Sequence, residues 1–141
     1  MQVIEALVGL CLLLVVLVDA FETVILPRSV ARPVRLSRFL VDGAWRFWRA
    51  IGSGIRATQA KETWLGAFGP LSLVGLIVSW AILMIVGFAF VQEGLATPLV
   101  GMSSPTFGER MYLSATTFFT VGFGDITAKT ALGRTISVIE G

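Results

Sequence analysis

The stretch Thr120-Val121-Gly122-Phe123-Gly124, followed directly by Asp125, lies close to the C-terminus after a short apolar segment. Gly122 and Gly124 adopt left-handed backbone dihedrals without steric penalty. When left-handed and right-handed residues alternate, successive carbonyl groups turn to the same side of the chain. We therefore expect non-helical backbone whose carbonyl oxygens are aligned. A ring of such segments can replace the water shell of a cation.

The composition indicates a membrane protein. Of the 141 residues, 55% are hydrophobic and only 14% are charged, which is too apolar for an ordinary soluble domain. The chain has no histidine, so histidine metal sites, histidine-based triads and imidazole proton relays are excluded. Its one cysteine, Cys11, cannot form an intrachain disulfide. No convergent set of ionisable residues favours an enzyme.

The distribution of charge predicts two membrane-spanning helices. No charged residue lies between Glu62 and Glu93, and an outer helix long enough to cross a bilayer is predicted over 70–92. An N-terminal helix is predicted over 1–26, ending before Pro27. A signal peptide is the alternative for this segment, and it is disfavoured because no basic residue precedes the apolar run.

Polar and small residues on the two predicted helices point to contacts with protein. Asp19 and Glu22 share one face of the N-terminal helix, and we expect them to pair with basic residues of the following linker. A proton or ion relay is the alternative role for these two carboxylates. On the outer helix Gly75, Ser79 and Gly87 form a small face that lets another helix approach closely.

Residues 27–63 form a basic linker. Its polar residues recur at helical spacing opposite an apolar stripe, with Trp45 and Trp48 beside that stripe. We expect an amphipathic helix that lies in the membrane interface. Three glycines are expected to break it into shorter pieces: Gly43, Gly52 and Gly54. A nucleic-acid interface is the alternative, but the flanking spans favour the membrane surface and we expect no nucleic-acid partner.

The same linker predicts the orientation of the chain. Arginine-rich segments between spans remain on the cytoplasmic side, so we expect the linker 27–63 to be cytoplasmic and the N-terminus to lie outside, in a plasma (inner) membrane. The outer helix then runs outward. This orientation, which does not use the filter sequence, places residues 120–124 after an external loop.

The predicted pore domain covers 64–141. Thr106 and Glu109 form a capping box that begins a pore helix of about 18 Å, too short to cross a bilayer. A short helix that enters and returns as non-helical backbone is tolerated only when it is buried in protein or lines a cavity. The predicted parts are the outer helix 70–92, the external loop 93–106, the pore helix 107–119, the filter 120–124 and the start of an inner helix 131–141.

From about Pro70 onward the chain resembles the potassium channel family in its short helix, its filter sequence and the pair Gly133-Arg134. The resemblance implies that K⁺, as the permeant ion, is bound by backbone carbonyls of Thr120, Val121, Gly122 and Phe123. Gly124 is then the outer end of the filter. The residues that the resemblance implies as filter support are Asp125, Thr117 and Thr116.

The chain also departs from the pattern of that family. Phe123 replaces the commoner tyrosine, which removes a hydroxyl able to tie the filter to its surroundings. Phe119, directly before the filter, is bulkier than the usual residue. Residues 131–141 give about 16 Å of helix whereas a bilayer core is about 30 Å thick, so we expect a truncated inner helix and a channel fragment. Glu140 is a candidate cavity residue, with an ion pair behind the filter as the alternative.

We therefore predict an all-α membrane protein with transmembrane helices, a re-entrant pore helix and a selectivity-filter loop. The predicted function is that of a potassium-selective pore subunit that conducts passively. One chain supplies one quarter of a ring, so a homotetramer in the lipid bilayer is expected, without a cofactor. The alternatives are a weakly selective cation channel on the same scaffold and a non-conducting or regulatory membrane fragment.

Overall fold

The computed structural model describes residues 1–25, 36–54 and 58–141. Its helices are α1 (Gln2–Val24), α2 (Leu36–Gly52), α3 (Thr58–Gly66), α4 (Phe68–Gly94), α5 (Phe107–Phe118) and α6 (Ala131–Glu140). Within these described ranges no β-strand forms, and an isolated bridge between Leu99 and Ala128 is the β-type pairing present. The all-α fold predicted from the sequence is confirmed.

Two helical runs are long and apolar enough to cross a membrane. The first is α1, and the second extends from Gln59 to Gly94 and includes α4. The helix α4 has 27 residues, two more at each end than the predicted outer helix 70–92. Pro70 is accommodated because it lies in the first turn, where no backbone N–H is needed for an intrahelical bond. The predicted end of the first helix at Leu26 lies outside the described residues.

One compact unit consists of Met1–Val16 and Ala81–Gly141. In it α1 and α4 touch through backbone atoms, since a Cβ added at Gly9 would lie 2.6 Å from the Gly87 carbonyl oxygen. Close approach through glycine is how membrane helices gain packing energy without a hydrophobic driving force. Gly87 was expected to permit this contact, whereas the matching role of Gly9 was not predicted.

The other compact unit is Leu17–Trp80, and a buried carboxylate lies in it. Asp19 accepts hydrogen bonds from the Ser37 backbone N–H at 3.0 Å, the Ser37 hydroxyl at 3.0 Å and the Trp80 indole at 2.9 Å. Ser37 is the second residue of α2, so Asp19 caps the N-terminus of that helix. The arginines expected as partners of Asp19 include several in residues 26–35, which lie outside the described residues, so that prediction stays untested.

The basic linker folds into α2 and α3 rather than one continuous helix. Gly43 stays inside α2, and the helix ends at Gly52. There the indole of Trp64 passes over the chain, since a Cβ on Gly52 would lie 2.8 Å from its Cδ1 atom. Trp48 and Trp64 stack with ring centroids 4.1 Å apart, and each indole N–H donates to the other's carbonyl. Paired tryptophans thus hold the two helices together.

Candidate functional site

The short helix α5 begins with the capping box expected from the sequence. The Glu109 N–H donates to Thr106 Oγ1 at 3.4 Å, and the Thr106 N–H donates to Glu109 Oε2 at 2.6 Å. These hydrogen bonds from Thr106 lower the pKa of the Glu109 carboxyl below 4.5. The helix has 12 residues and ends at Phe118, with Phe119, the last residue of the predicted helix, as its C-cap.

A buried arginine anchors α5, and no prediction included it. Arg110 is 4% exposed. Its Nε donates to Glu93 Oε2 at 2.6 Å, and its Nη1 donates to the Thr97 carbonyl at 2.7 Å. The ion pair therefore ties the first turn of α5 to the end of α4 and to the following loop. The available signal was that Arg110 is the one basic residue of a short helix expected to be buried in protein, where a charge requires a partner.

The filter segment has alternating backbone handedness. Positive φ angles occur at Thr120 (54°), Gly122 (52°) and Gly124 (77°), and not at the intervening residues Val121 and Phe123. The left-handed conformations of the two glycines agree with the expectation from the sequence. That of Thr120 was not predicted, since a β-branched residue rarely adopts it. The Thr120 hydroxyl donates to the Phe119 carbonyl at 2.7 Å.

The amide groups at the start of the filter are bound to the end of α5. The Thr120 N–H donates to the Thr117 carbonyl at 2.8 Å, and the Val121 and Gly122 N–H groups donate to the Thr116 carbonyl at 2.9 and 3.1 Å. Thr116 and Thr117 therefore bind the start of segment 120–124 through their main-chain oxygens, while their role as filter support stays a prediction. These bonds fix the direction of the filter peptides.

The carbonyl groups of the same segment are left free. Among the described residues, no backbone or side-chain group donates to the carbonyl oxygens of 120–124. Backbone carbonyls are obligatory acceptors that a folded chain normally pairs. Residues 120–124 are exposed in the single chain, so their carbonyl oxygens are open to water or to another partner.

A hydrogen bond supports the outer end of the filter. The Tyr112 hydroxyl, on α5, donates to Asp125 Oδ2 at 3.0 Å. This places a phenol beside the filter from the pore helix, whereas the filter itself carries Phe123 in place of the commoner tyrosine. The sequence predicted that Phe123 leaves this region without a tyrosine hydroxyl. Tyr112 of α5 supplies such a hydroxyl from another position, which the sequence did not predict.

An open space of about 440 Å³ lies behind the filter. Thr116 and Thr117 of α5 line it on one side, Gly122 and Gly124 on the filter side, and Arg134 on the α6 side. The bulky residue before the filter does not occupy it. Phe119 is 60% exposed and packs edge-on against Phe118.

Glu140 is buried against α5. Its carboxyl contacts the Ser114 hydroxyl, and the same hydroxyl lies 2.9 Å from the Ile85 carbonyl. One serine thus brings together α4, α5 and α6. Within the described ranges Glu140 makes no ion pair, and its Oε2 atom has no hydrogen-bond partner. The alternative of an ion pair behind the filter therefore has no partner among these residues, and the role of Glu140 as a cavity residue stays a prediction.

The two ends of the pore segment are joined by a short pairing that was not predicted. The Val100 N–H donates to the Thr127 carbonyl, and the Lys129 N–H donates to the Pro98 carbonyl, both at 2.9 Å. This pairing includes the bridge between Leu99 and Ala128, which are both buried. The loop before α5 and the loop after the filter therefore form one support.

Comparison with known proteins agrees with this geometry. Residues 73–141 match the family model described as "Ion channel", from within α4 through α5 and the filter to α6. No curated protein and no solved structure matches the chain significantly. This part of the chain is thus similar to an ion channel family, and the described residues contain two helices whose length and apolar composition would allow them to cross a membrane.

Proposed function

We propose that the chain is the pore subunit of a potassium-selective channel, in which four copies arrange their filter segments around one axis. The observation that carries this proposal is the row of free carbonyl oxygens at residues 120–124, held by alternating handedness. The permeant ion is K⁺, bound through the carbonyls of Thr120, Val121, Gly122 and Phe123.

An enzymatic function is disfavoured, since the family that residues 73–141 match is described as an ion channel.

The direction of α5 favours a cation at the filter. The helix ends at Phe118, immediately before the filter, so its partial negative charge lies beside the carbonyl row. Asp125 adds a carboxylate at the outer end. Both features oppose anions, whereas selection of K⁺ over Na⁺ depends on the number and spacing of the oxygens in the assembled ring.

The basic helix α2 favours a cytoplasmic position for the linker. Arg38, Arg46 and Arg49 are all exposed on it, and positive charge between spans remains inside. The N-terminus and the filter mouth are then external, in a plasma (inner) membrane. Labelling of an introduced cysteine at Ser103, in a chain with Cys11 replaced by alanine, would test this. Protection of that cysteine from external reagents would contradict the orientation.

Ion binding is testable without assuming conduction. The protein in detergent is heated in KCl, RbCl or NaCl at equal ionic strength, and the unfolding temperature is measured. A ligand that binds only the folded state raises stability, so K⁺ and Rb⁺ are expected to raise this temperature and Na⁺ is not. Equal temperatures in all three salts would contradict a potassium-selective filter.

Conduction is tested separately by ion flux into liposomes. Uptake of Rb⁺ that exceeds uptake of Na⁺ supports the selective channel. Equal uptake supports the weakly selective alternative. Stabilisation by K⁺ without uptake of any ion supports the non-conducting membrane fragment, so the two measurements together separate the three functions.

A further inference from the structure

A cavity of about 390 Å³ lies in the unit Leu17–Trp80, between α2 and the first part of α4. Large apolar side chains form most of its wall. They include Leu40 and Phe47 from α2 and Phe68 and Leu76 from α4. Its volume falls in the range of about 300–1,000 Å³ typical of ligand sites. The predicted function assigns no role to this space.

The polar groups at the wall of the cavity are already engaged. The hydroxyls of Ser72 and Ser79 donate to the carbonyls of their own helix, at 2.8 and 2.7 Å. The Trp48 indole N–H donates to the Trp64 carbonyl at 2.9 Å. A polar ligand would lose its hydrogen bonds to water and gain none from the described residues that line the cavity. The occupant must therefore be hydrocarbon.

The surroundings of the cavity indicate which hydrocarbon. The wall from α4 belongs to a candidate membrane span. The helix α2 lines the cavity with one face, while Arg38, Arg46 and Arg49 are exposed on the other by their 100° spacing. A helix with one apolar face and one arginine face lies at the boundary between headgroups and acyl chains. Its arginines attract anionic headgroups.

We propose that this cavity binds one acyl chain of an anionic phospholipid, whose headgroup lies near the arginine face of α2. The site holds α2 against α4 through the lipid. This inference goes beyond the proposed function and does not depend on ion conduction.

Two glycines of α4 provide a matched test. A Cβ at Gly75 meets no atom within 4 Å, and Gly75 lines the cavity, so Gly75→Leu begins its side chain in open space and directs it into the cavity. Gly69 is equally open but does not line the cavity, so Gly69→Leu is the control. On α2, Ala44→Leu and Gly43→Leu form a second pair, of which only Ala44 lines the cavity.

The full chain is purified in detergent and bound phosphatidylglycerol and phosphatidylcholine are counted by native mass spectrometry. We expect Gly75→Leu and Ala44→Leu to weaken phosphatidylglycerol binding about tenfold, the effect of a few displaced methylene contacts, and the controls to leave it unchanged. Replacing Arg38, Arg46 and Arg49 by glutamine should abolish the preference for phosphatidylglycerol over phosphatidylcholine.

Two results would overturn the proposal. One is lipid binding that is the same in all four leucine variants. The other is a change of oligomeric mass in Gly75→Leu with lipid binding intact, which would show that a second copy of the chain occupies the groove. Circular dichroism of each variant establishes that its helices are formed.

Discussion

Thr120, Gly122 and Gly124 hold the left-handed conformations on which the filter depends, and they do so at different cost. For a residue with a Cβ the left-handed region costs roughly 1–2 kcal/mol, whereas glycine adopts it freely. The three N–H bonds from 120–122 to the end of α5 oppose that strain at Thr120. Strain held by its surroundings at one residue is typical of a functional segment.

Gly122→Ala tests the handedness of the filter. A methyl group at φ 52° opposes the native backbone by about 1 kcal/mol and turns a carbonyl out of the row, so K⁺ uptake should be abolished. The matched control is Gly101→Ala, which places the same strain at φ 79° in a loop outside the filter and should leave uptake intact. Normal flux from Gly122→Ala would show that 120–124 is not the filter.

Tyr112→Phe tests the support of the outer mouth. It removes the hydroxyl that donates to Asp125 at 3.0 Å and keeps the ring, so the ratio of K⁺ to Na⁺ uptake should fall several-fold. Asp125→Ala should have the same effect, and the double variant should be no worse than either single one. Asp125→Asn still accepts the hydrogen bond and serves as the control. Additive effects would mean that the two residues act independently.

At the scale of elements, α5 is fixed at its two ends by different means. Its first turn carries the capping box and the buried Arg110–Glu93 pair, and its last turn offers carbonyls to the filter amides. A helix of 12 residues is marginal by itself in water. Its position therefore depends on these contacts, and so does the direction in which the filter leaves it.

The capping box predicts a pH dependence of stability. The folded state holds the Glu109 pKa below its ordinary value of 4.5, so the stabilisation is complete above that pH and is lost as the pH falls through the folded-state value. Glu109→Ala should therefore lower the unfolding temperature at pH 7, and the difference from the original protein should disappear in strong acid. Unfolding temperatures between pH 3 and pH 7 check this.

Glu109→Gln is the control for that experiment. Glutamine still completes a capping box but does not titrate. Its unfolding temperature should equal that of the original protein at pH 7. As the pH falls, it should lack the additional decrease that protonation of Glu109 causes in the original protein. A difference for Glu109→Ala that persists unchanged at low pH would show that the carboxylate charge has no part in the cap.

At the scale of the whole molecule, the single chain leaves its candidate site exposed. Val121 and Phe123 are 52% and 70% exposed, and Val138 of α6 is 79% exposed. Apolar side chains next to a free carbonyl row need cover, from lipid or from other copies of the chain. Four copies around an axis would face their filters toward one another and enclose the ion.

The mass of the protein in detergent tests this assembly. We expect four times the chain mass of 15.2 kDa, after subtraction of the detergent, by light scattering combined with gel filtration. Chemical cross-linking should give a ladder that stops at four. A stable monomer or dimer that still shows K⁺-specific stabilisation would contradict a ring of four copies. It would mean that one or two chains are enough to bind the ion.

Local chemistry accounts for much that could be predicted from the sequence. The spans follow from the charge-free runs 6–18 in α1 and 68–92 in α4, and the start of α5 from the pattern of Thr106 and Glu109. The left-handed backbone at 122 and 124 follows from glycine, which permits dihedral angles that other residues resist. Each of these features depends on residues close together in the chain, so sequence alone determined them.

Contacts between distant residues were decided only by the tertiary structure. Arg110 pairs with Glu93, Asp19 accepts hydrogen bonds from Ser37 and Trp80, and Tyr112 donates to Asp125. The left-handed Thr120 likewise depends on its bonds to α5. A buried charge or a strained residue requires a partner, but many groups in the chain can fill that role, and only packing selects which one lies within reach.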